Sequence, residues 1–490
     1  MRALNWGKDI RINMKIANFN RTKIVATIGP ATSSYEMLKS IIKEGVDVCR
    51  LNFSHGTYED HKKVIDNIKQ VNQDLNTHVS MLLDLQGPKL RVGEMQDNKV
   101  ELKTGSIITV STKPIIGTSE KISVKFETLA KDVKPGELVL LDDGKIEIEV
   151  VETNGEDEIK CKVNFGGFLS SKKGFNLPQT KLSIPAMTEK DRGDLIFGLE
   201  QKVDWIGLSF VRKAEDILEL KEIIEKSEWK PRVIAKIEKP EALDNLDEII
   251  AVSDGVMVAR GDLGVELPME RVPVIQKLIV KKCIEAAKPV IIATQMMESM
   301  ITNSSPTRAE VNDIANAVMD GADAVMLSAE TSVGAFPILA IKHMQRTVAE
   351  AEKTNAPFFK GKRPHDESPT FLSDEICFTA VRISDHLKAS AIVSMTFSGY
   401  TAYKISSFRP KAAIYIFTGN QRLLNTLSLV WGVRAFYYKN FESTDQSIQD
   451  VNDILKEKGL ITAGNLVINT ASMPIKDRPR TNAVKISEIE

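Results

Sequence analysis

The chain is poor in cysteine, has no long apolar run and carries almost no net charge. Its four cysteines, Cys49, Cys161, Cys283 and Cys377, are roughly a hundred residues apart and show no paired spacing for zinc. A chain this long buries a core without disulfide staples, so reduced thiols are expected. No uncharged apolar stretch approaches the ~20 residues that span a bilayer. The N-terminus carries Arg2, Lys8, Asp9 and Arg11 and no apolar segment, unlike a secretory signal. These absences predict a soluble, cytoplasmic protein with no membrane partner. Sixty-five basic against 66 acidic residues give a net charge of −1, so no global field recruits nucleic acid. The six histidines show no metal-ligand spacing. No GxGxxG or P-loop lies between a strand and a helix, which excludes Walker-type and protein-kinase-type nucleotide sites.

What is present is globular. Apolar residues make up 42% and charged residues 27% of 490 positions, a length that predicts about three domains. Short apolar, β-branched runs recur at 23–26 (KIVA), 46–50 (VDVCR), 79–84 (VSMLLD), 204–209 (DWIGLS), 233–236 (VIAK), 255–259 (GVMVA), 290–294 (VIIAT) and 323–327 (DAVML). Runs this short and continuous fit parallel strands buried on both faces. Amphipathic helical stretches lie between most of them, which predicts a (β/α)8 TIM barrel.

The third and fourth runs are too far apart for one βα connection. Residues 88–185 between them alternate apolar and polar, as in KVELKTGSIITV and GELVLLDDGKIEIEVVE, and predict an inserted β-barrel lid domain on the active-site face. Past a proline-bearing linker the βαβ pattern returns, predicting a C-terminal doubly wound α/β domain. The expected division is a tail at 1–20, barrel at 21–87 and 186–356, lid at 88–185 and regulatory domain at 357–490.

Barrel chemistry collects at the C-terminal strand ends, and polar residues fall there strand by strand. They include Arg50, Asn52, Ser54 and His55, then Asp84, Lys89 and Arg91. Ser209, Lys236, Glu238, Arg260, Asp262, Thr294, Ser328 and Glu330 complete the ring. Glu238 and Asp262 sit at neighbouring strand ends and could share a hard divalent cation; the plain alternative is a carboxylate pair bridged by Lys236 or Arg260. Cations converging with a metal suit phosphoryl transfer, but also a metal enolate, so a Mg2+-dependent aldolase or lyase stays open. Gly261 permits close backbone approach to a ligand, and its turn offers N–H groups to an anion. Thr396, Ser398, Gly399 and Thr401, between a strand and a helix, form a phosphate nest or only a helix cap.

Several segments are more specific. RTKIVATIGPAT, RLNFSHG, KIEKPEALDNLDEI, SDGVMVARGDLGVELP, IIATQMMESM, PTRAEVNDIANAVMDGADAVMLSAET and SKKGFNLP closely resemble the pyruvate kinase family, and TFSGYTAYKISSFRPKAAIYIFT looks like its C-terminal domain. The resemblance implies transfer of phosphate from phosphoenolpyruvate to ADP, a divalent metal (Mg2+ or Mn2+) and a homotetramer. It implies Lys236 as transition-state stabiliser, Glu238 and Asp262 as metal ligands, and Arg50 on the substrate phosphate. Gly261, Asp262 and Thr294 would meet the substrate carboxylate, with Thr294 also tied to enolpyruvate protonation. Asn52, His55, Arg91 and Lys173 would meet the nucleotide. Many members hold K+ at the positions of Asn52, Ser54, Asp84 and a threonine that is Leu85 here, and Lys89 stands where they carry a glutamate. This combination resembles the potassium-independent branch, with a vestigial K+ site and Lys89 as an internal cation. The Thr396–Thr401 loop corresponds to a sugar-phosphate effector loop, though Phe397 and Tyr400 replace basic residues. A catalytically silent, metabolite-binding paralogue is the remaining alternative.

Overall fold

Each of the eight apolar runs forms a strand: Lys23–Ile28, Val48–Asn52, Ser80–Asp84, Trp205–Leu208, Arg232–Ile237, Gly255–Ala259, Val290–Ala293 and Ala324–Leu327. They close into one parallel barrel in which the first strand pairs with both the second and the eighth. The computed structural model describes residues 19–441, 443–474 and 480–490; most of the expected tail lies outside them. Side chains alternate along each strand. Val25, Val48, Leu82, Trp205, Ile234, Met257 and Ile291 fill the barrel interior, while Ile24, Ala26, Leu83 and Val233 pack outward under the helices. Among the described residues no helix is long and apolar enough to cross a membrane.

Between the third and fourth strands the alternating segments form a six-stranded sheet and a two-stranded ribbon. The sheet curls with the ribbon around one core, which includes Leu102 and Leu169 of the ribbon and Ile108, Ile148 and Val163 of the sheet. Its last strand is short, Phe175–Asn176, paired antiparallel with Leu138–Leu141. The insert therefore ends close to where the chain returns to the barrel, and Arg212 fastens that return by donating to the Leu182 and Ile184 carbonyls at 3.1 and 2.8 Å.

The C-terminal part is a five-stranded sheet, parallel except for its edge strand Ala483–Glu488. The helix Phe371–His386 covers one face and Thr444–Glu457 the other. Leu429 from this part reaches the barrel interior cluster. Arg409, buried, donates to Asp323 at the start of the eighth strand at 2.7 Å, so a charged joint as well as apolar packing connects the two.

A second buried carboxylate, Asp204, immediately precedes the fourth strand. Burial pushes its pKa up to about 7, against the Met81 N–H that donates to it at 2.8 Å. The native state therefore holds this proton more tightly than the unfolded chain does. That contribution is complete below the ordinary carboxylate range and is lost as pH rises through about 7, where the buried group is forced to ionise. Asp204→Asn keeps an acceptor for Met81 and removes the titration. The variant is expected to unfold a few degrees above the wild type at pH 8 and at the same temperature near pH 4; parallel curves at both pH values would refute this.

Candidate active site

The strand ends converge on a cavity of about 190 Å3 lined by Arg50, Asp84, Lys89, Lys236, Glu238 and Asp262, with Asn52, Ser54, His55 and Arg91 at its wall. Its floor is a chain of alternating charges. Arg50, on the second strand, donates through Nη1 to Thr27 Oγ1 at 2.9 Å and through Nε to Asp84 Oδ2 at 2.7 Å. Asp84 ends the third strand; its other oxygen, Oδ1, lies 3.0 Å from Lys236 Nζ. Lys236, on the fifth strand, also meets Glu238 Oε1 at 3.0 Å and donates to Ser209 Oγ at 2.6 Å.

Burial and the neighbouring charges compete for the protonation of this chain. Desolvation alone would raise Asp84, but Lys236 and Arg50 outweigh it and hold the carboxyl below its usual range. Desolvation would lower Lys236, yet Asp84 and Glu238 raise it instead, so it is an ammonium at every working pH. Glu238 is raised, first by burial and then by the charge of Asp262, with Lys236 pulling the other way. Its Oε2 accepts the Phe210 N–H at 2.7 Å.

Asp262 stands on the short helix Arg260–Glu266 and pairs with Lys89 Nζ at 2.7 Å. Lys89 and Asp262 also line a neighbouring cavity of about 600 Å3 that includes Gly261, Arg260 and Gln295, so this ion pair stands between the two spaces. Two carboxylates on one cavity, one of them raised by burial and further by the charge of the other, are a donor set that a divalent cation relieves. Glu238 and Asp262 therefore fit a hard metal, with the remaining positions left to water and substrate oxygens.

Thr294 follows the seventh strand with φ of 68°, and Gln295 follows with 54°. A β-branched residue in the left-handed region costs about 1–3 kcal/mol and persists only where its surroundings impose it. Here Thr294 Oγ1 accepts the Gly261 N–H at 2.7 Å and donates to the Ala293 carbonyl at 2.6 Å. Arg260 grips the turn from the other side, donating to the Thr294 carbonyl at 2.6 Å while Asp313 anchors it at 2.7 Å. The Gly261 N–H, expected to await an anion, is thus engaged by Thr294. A Cβ built on Gly261 would lie 3.4 Å from Thr294 Oγ1, an ordinary contact, so packing within the chain does not itself demand glycine there.

The remaining expected residues divide. Leu85 is buried in the barrel core and offers no hydroxyl beside Asp84. Asn52 Oδ1 accepts the Ser54 N–H at 3.2 Å, while His55 is exposed at the rim. Arg91 donates to the Lys172 carbonyl of the lid at 3.2 Å. Lys173 is held on the lid by Asp142 at 2.9 Å and is not among the residues lining the 190 Å3 cavity. In the C-terminal part, the Gly399 N–H donates to Thr396 Oγ1 at 3.0 Å and Thr401 Oγ1 meets Thr481 Oγ1 at 3.1 Å. Thr396, Ser398, Thr401 and Thr481 line a cavity of about 400 Å3 that includes Arg480, and Gly399 is not among its lining residues. Sequence reasoning missed Thr27, which orients Arg50, and Phe210, whose φ of 56° turns its N–H onto Glu238. Neither carries a local signal, because a threonine inside an apolar strand and a phenylalanine after one both read as core.

Comparison with known proteins gives one answer. A family model described as the pyruvate kinase barrel domain matches residues 19–341, and one described as the pyruvate kinase alpha/beta domain matches 374–487. The pyruvate kinase of Geobacillus stearothermophilus is 43% identical over 471 residues, covering 96% of this chain and 80% of that protein. That of Staphylococcus aureus strain MRSA252 is 44% identical over 470 residues, covering 95% and 80%. The crystal structure of a pyruvate kinase from Cryptosporidium parvum superposes with a TM-score of 0.90 at 36% identity, covering 96% of both chains. The chain belongs to the pyruvate kinase family of phosphotransferase enzymes.

Proposed function

We propose that the enzyme transfers the phosphoryl group of phosphoenolpyruvate to ADP, giving ATP and pyruvate, and that it does so without K+. The observation that carries this reading is the buried Arg50–Asp84–Lys236–Glu238 chain: it presents two fixed cations to one cavity, with a carboxylate pair beside them. Phosphoryl transfer asks little covalent chemistry of a protein and much positioning and charge stabilisation. Arg50 receives the substrate phosphate and Lys236, permanently charged, stabilises the group in flight. Glu238 and Asp262 would hold Mg2+ or Mn2+, which supplies charge neutralisation on the phosphoryl oxygens when bound. Thr294, Gly261 and Asp262 are assigned to the substrate carboxylate, and Thr294 also to protonation of the enolpyruvate. Asn52, His55 and Arg91 at the rim and Lys173 on the lid take the nucleotide, and lid closure excludes water.

Three features support K+ independence. Leu85 leaves the former ligand position apolar, both Asp84 oxygens are engaged by internal cations, and Lys89 adds an ammonium to the same cavity. Asn52, Ser54, Asp84 and Leu85 are accordingly a vestigial site. The Thr396–Thr401 loop is read as an effector site for a phosphorylated metabolite, supported by the Arg480 guanidinium in its cavity. Homotetramer assembly, a cytoplasmic location and the division of the chain at 88, 185 and 357 belong to the same reading.

Phosphorus NMR of phosphoenolpyruvate, ADP and Mg2+ with the purified enzyme tests it. The β- and γ-phosphate resonances of ATP are expected to grow as that of phosphoenolpyruvate falls. Consumption without nucleoside triphosphate, or a product of carbon–carbon bond cleavage, would favour the aldolase or lyase alternative; no reaction would favour a silent paralogue.

A further inference from the structure

The root of the lid contains a polar contact that the chemistry above does not use. Glu266 closes the short helix that begins with Arg260, Gly261 and Asp262, and its side chain is fully buried. One oxygen, Oε1, takes two donors. Lys239 Nζ, from the residue after the metal carboxylate Glu238, reaches it at 2.7 Å, and Asn176 Nδ2, from the last lid strand, reaches it at 2.9 Å. Asn176 lies three residues beyond Lys173. A single carboxylate oxygen therefore joins the helix of Asp262, the segment of Glu238 and the lid strand that follows the nucleotide lysine.

The contact is asymmetric in strength. Lys239 neutralises Glu266 from within the barrel, so the ion pair does not depend on the lid. The lid contributes one amide hydrogen bond, and among the described residues neither Glu266 Oε2 nor Asn176 Oδ1 has a hydrogen-bond partner, although both are buried. At this joint the lid therefore contributes one charge-assisted bond beside two buried acceptors without partners, a contact of small net strength. A small cavity lined by Asn176, Lys239, Glu266 and Arg212 leaves room at this joint for movement.

We propose that Glu266 is a positioning residue, a latch whose shared oxygen sets the closed register of the lid over the metal carboxylates, with Asn176 as the arm that releases. The inference rests on the reading of Lys173 as a nucleotide contact. It predicts that weakening the arm raises the KM for ADP more than that for phosphoenolpyruvate, because Lys173, the lid residue nearest Asn176 in the chain with an assigned ligand, is read as a nucleotide contact.

Asn176→Asp sets a second carboxylate against Glu266 and is expected to hold the lid open, raising the KM for ADP by tenfold or more, roughly the loss of a hydrogen bond to a charged group. Asn176→Asp combined with Glu266→Gln exchanges amide and carboxylate across the joint and still gives Lys239 a counter-ion. The exchange is expected to restore the KM for ADP to within about threefold of the wild type, consistent with a recreated charge-assisted bond. Spin labels at Lys162→Cys on the lid and Glu222→Cys on the barrel, both exposed positions, report lid separation; the four native cysteines are buried and do not compete. The separation should lengthen in Asn176→Asp and return in the exchange variant. An unchanged separation in Asn176→Asp, or an exchange variant as impaired as Asn176→Asp, would overturn the latch. If the exchange variant does not fold, Asn176→Ala decides: a raised KM for ADP and a broadened separation support the latch, and wild-type values refute it. A wild type that makes no ATP would defeat the functional reading instead, and the separations would then judge the latch alone.

Discussion

Lys236→Met is expected to abolish phosphoryl transfer, lowering kcat by at least about a thousandfold, the scale on which a fixed cation acts on a transferring phosphoryl group. Lys236 touches Asp84, Glu238 and Ser209 and is held charged by the first two, so it stabilises charge and does not exchange protons in the working range. The same contacts predict a second effect. Methionine leaves Glu238 with no cation and Asp84 with Arg50 alone, and uncompensated buried charge costs about 3–5 kcal/mol. The variant should therefore unfold at a lower temperature while keeping its barrel circular dichroism at assay temperature. Added Mg2+ or Mn2+ should recover part of that stability, because a cation between Glu238 and Asp262 replaces some of the lost charge. Turnover equal to the wild type would contradict the role given to Lys236.

The second large effect is at Lys89. Lys89→Met is expected to reduce turnover in K+-free buffer by about a hundredfold, as for removal of one preorganised charge from a reacting site. K+ should restore part of the loss, since a bound monovalent ion and a fixed ammonium serve the same electrostatic end. Removing the ammonium also frees Asp262, with which Lys89 pairs at 2.7 Å, so Mn2+ titration should show binding at least as tight as in the wild type. Full K+-free activity in the variant would mean that Arg50 and Lys236 suffice and that Lys89 acts only on Asp262.

The barrel was legible in the sequence because its strands are buried on both faces and so read as unbroken apolar runs, from Lys23–Ile28 to Ala324–Leu327. The polar ring was legible for a related reason: the strand ends are where those runs stop. Partnership was not legible. Asp84 reads as a remnant of a cation site, yet it is wedged between Arg50 and Lys236. Lys89, read as the substitute for the lost ion, faces Asp262, 173 positions away in the chain. Such pairings depend on which strand ends are neighbours and how far each side chain reaches, and neither is written in local spacing. The left-handed turns at Phe210 and Thr294 lack the glycine or asparagine that announces one, because tertiary hydrogen bonds impose them. Glu266 did leave a trace. It follows Asp262 by four positions on a helix, the spacing that aligns two side chains along one face, and its lid partner could be found only by folding the insert.

The most direct test of the account is the initial rate of pyruvate formation by the wild-type enzyme from phosphoenolpyruvate and ADP with Mg2+, first in K+-free buffer and then with K+ added. The account predicts full activity before K+ is added and little change after it. Activity that appears only with K+ would contradict the internal-cation claim, and no pyruvate in either buffer would contradict the proposed reaction itself.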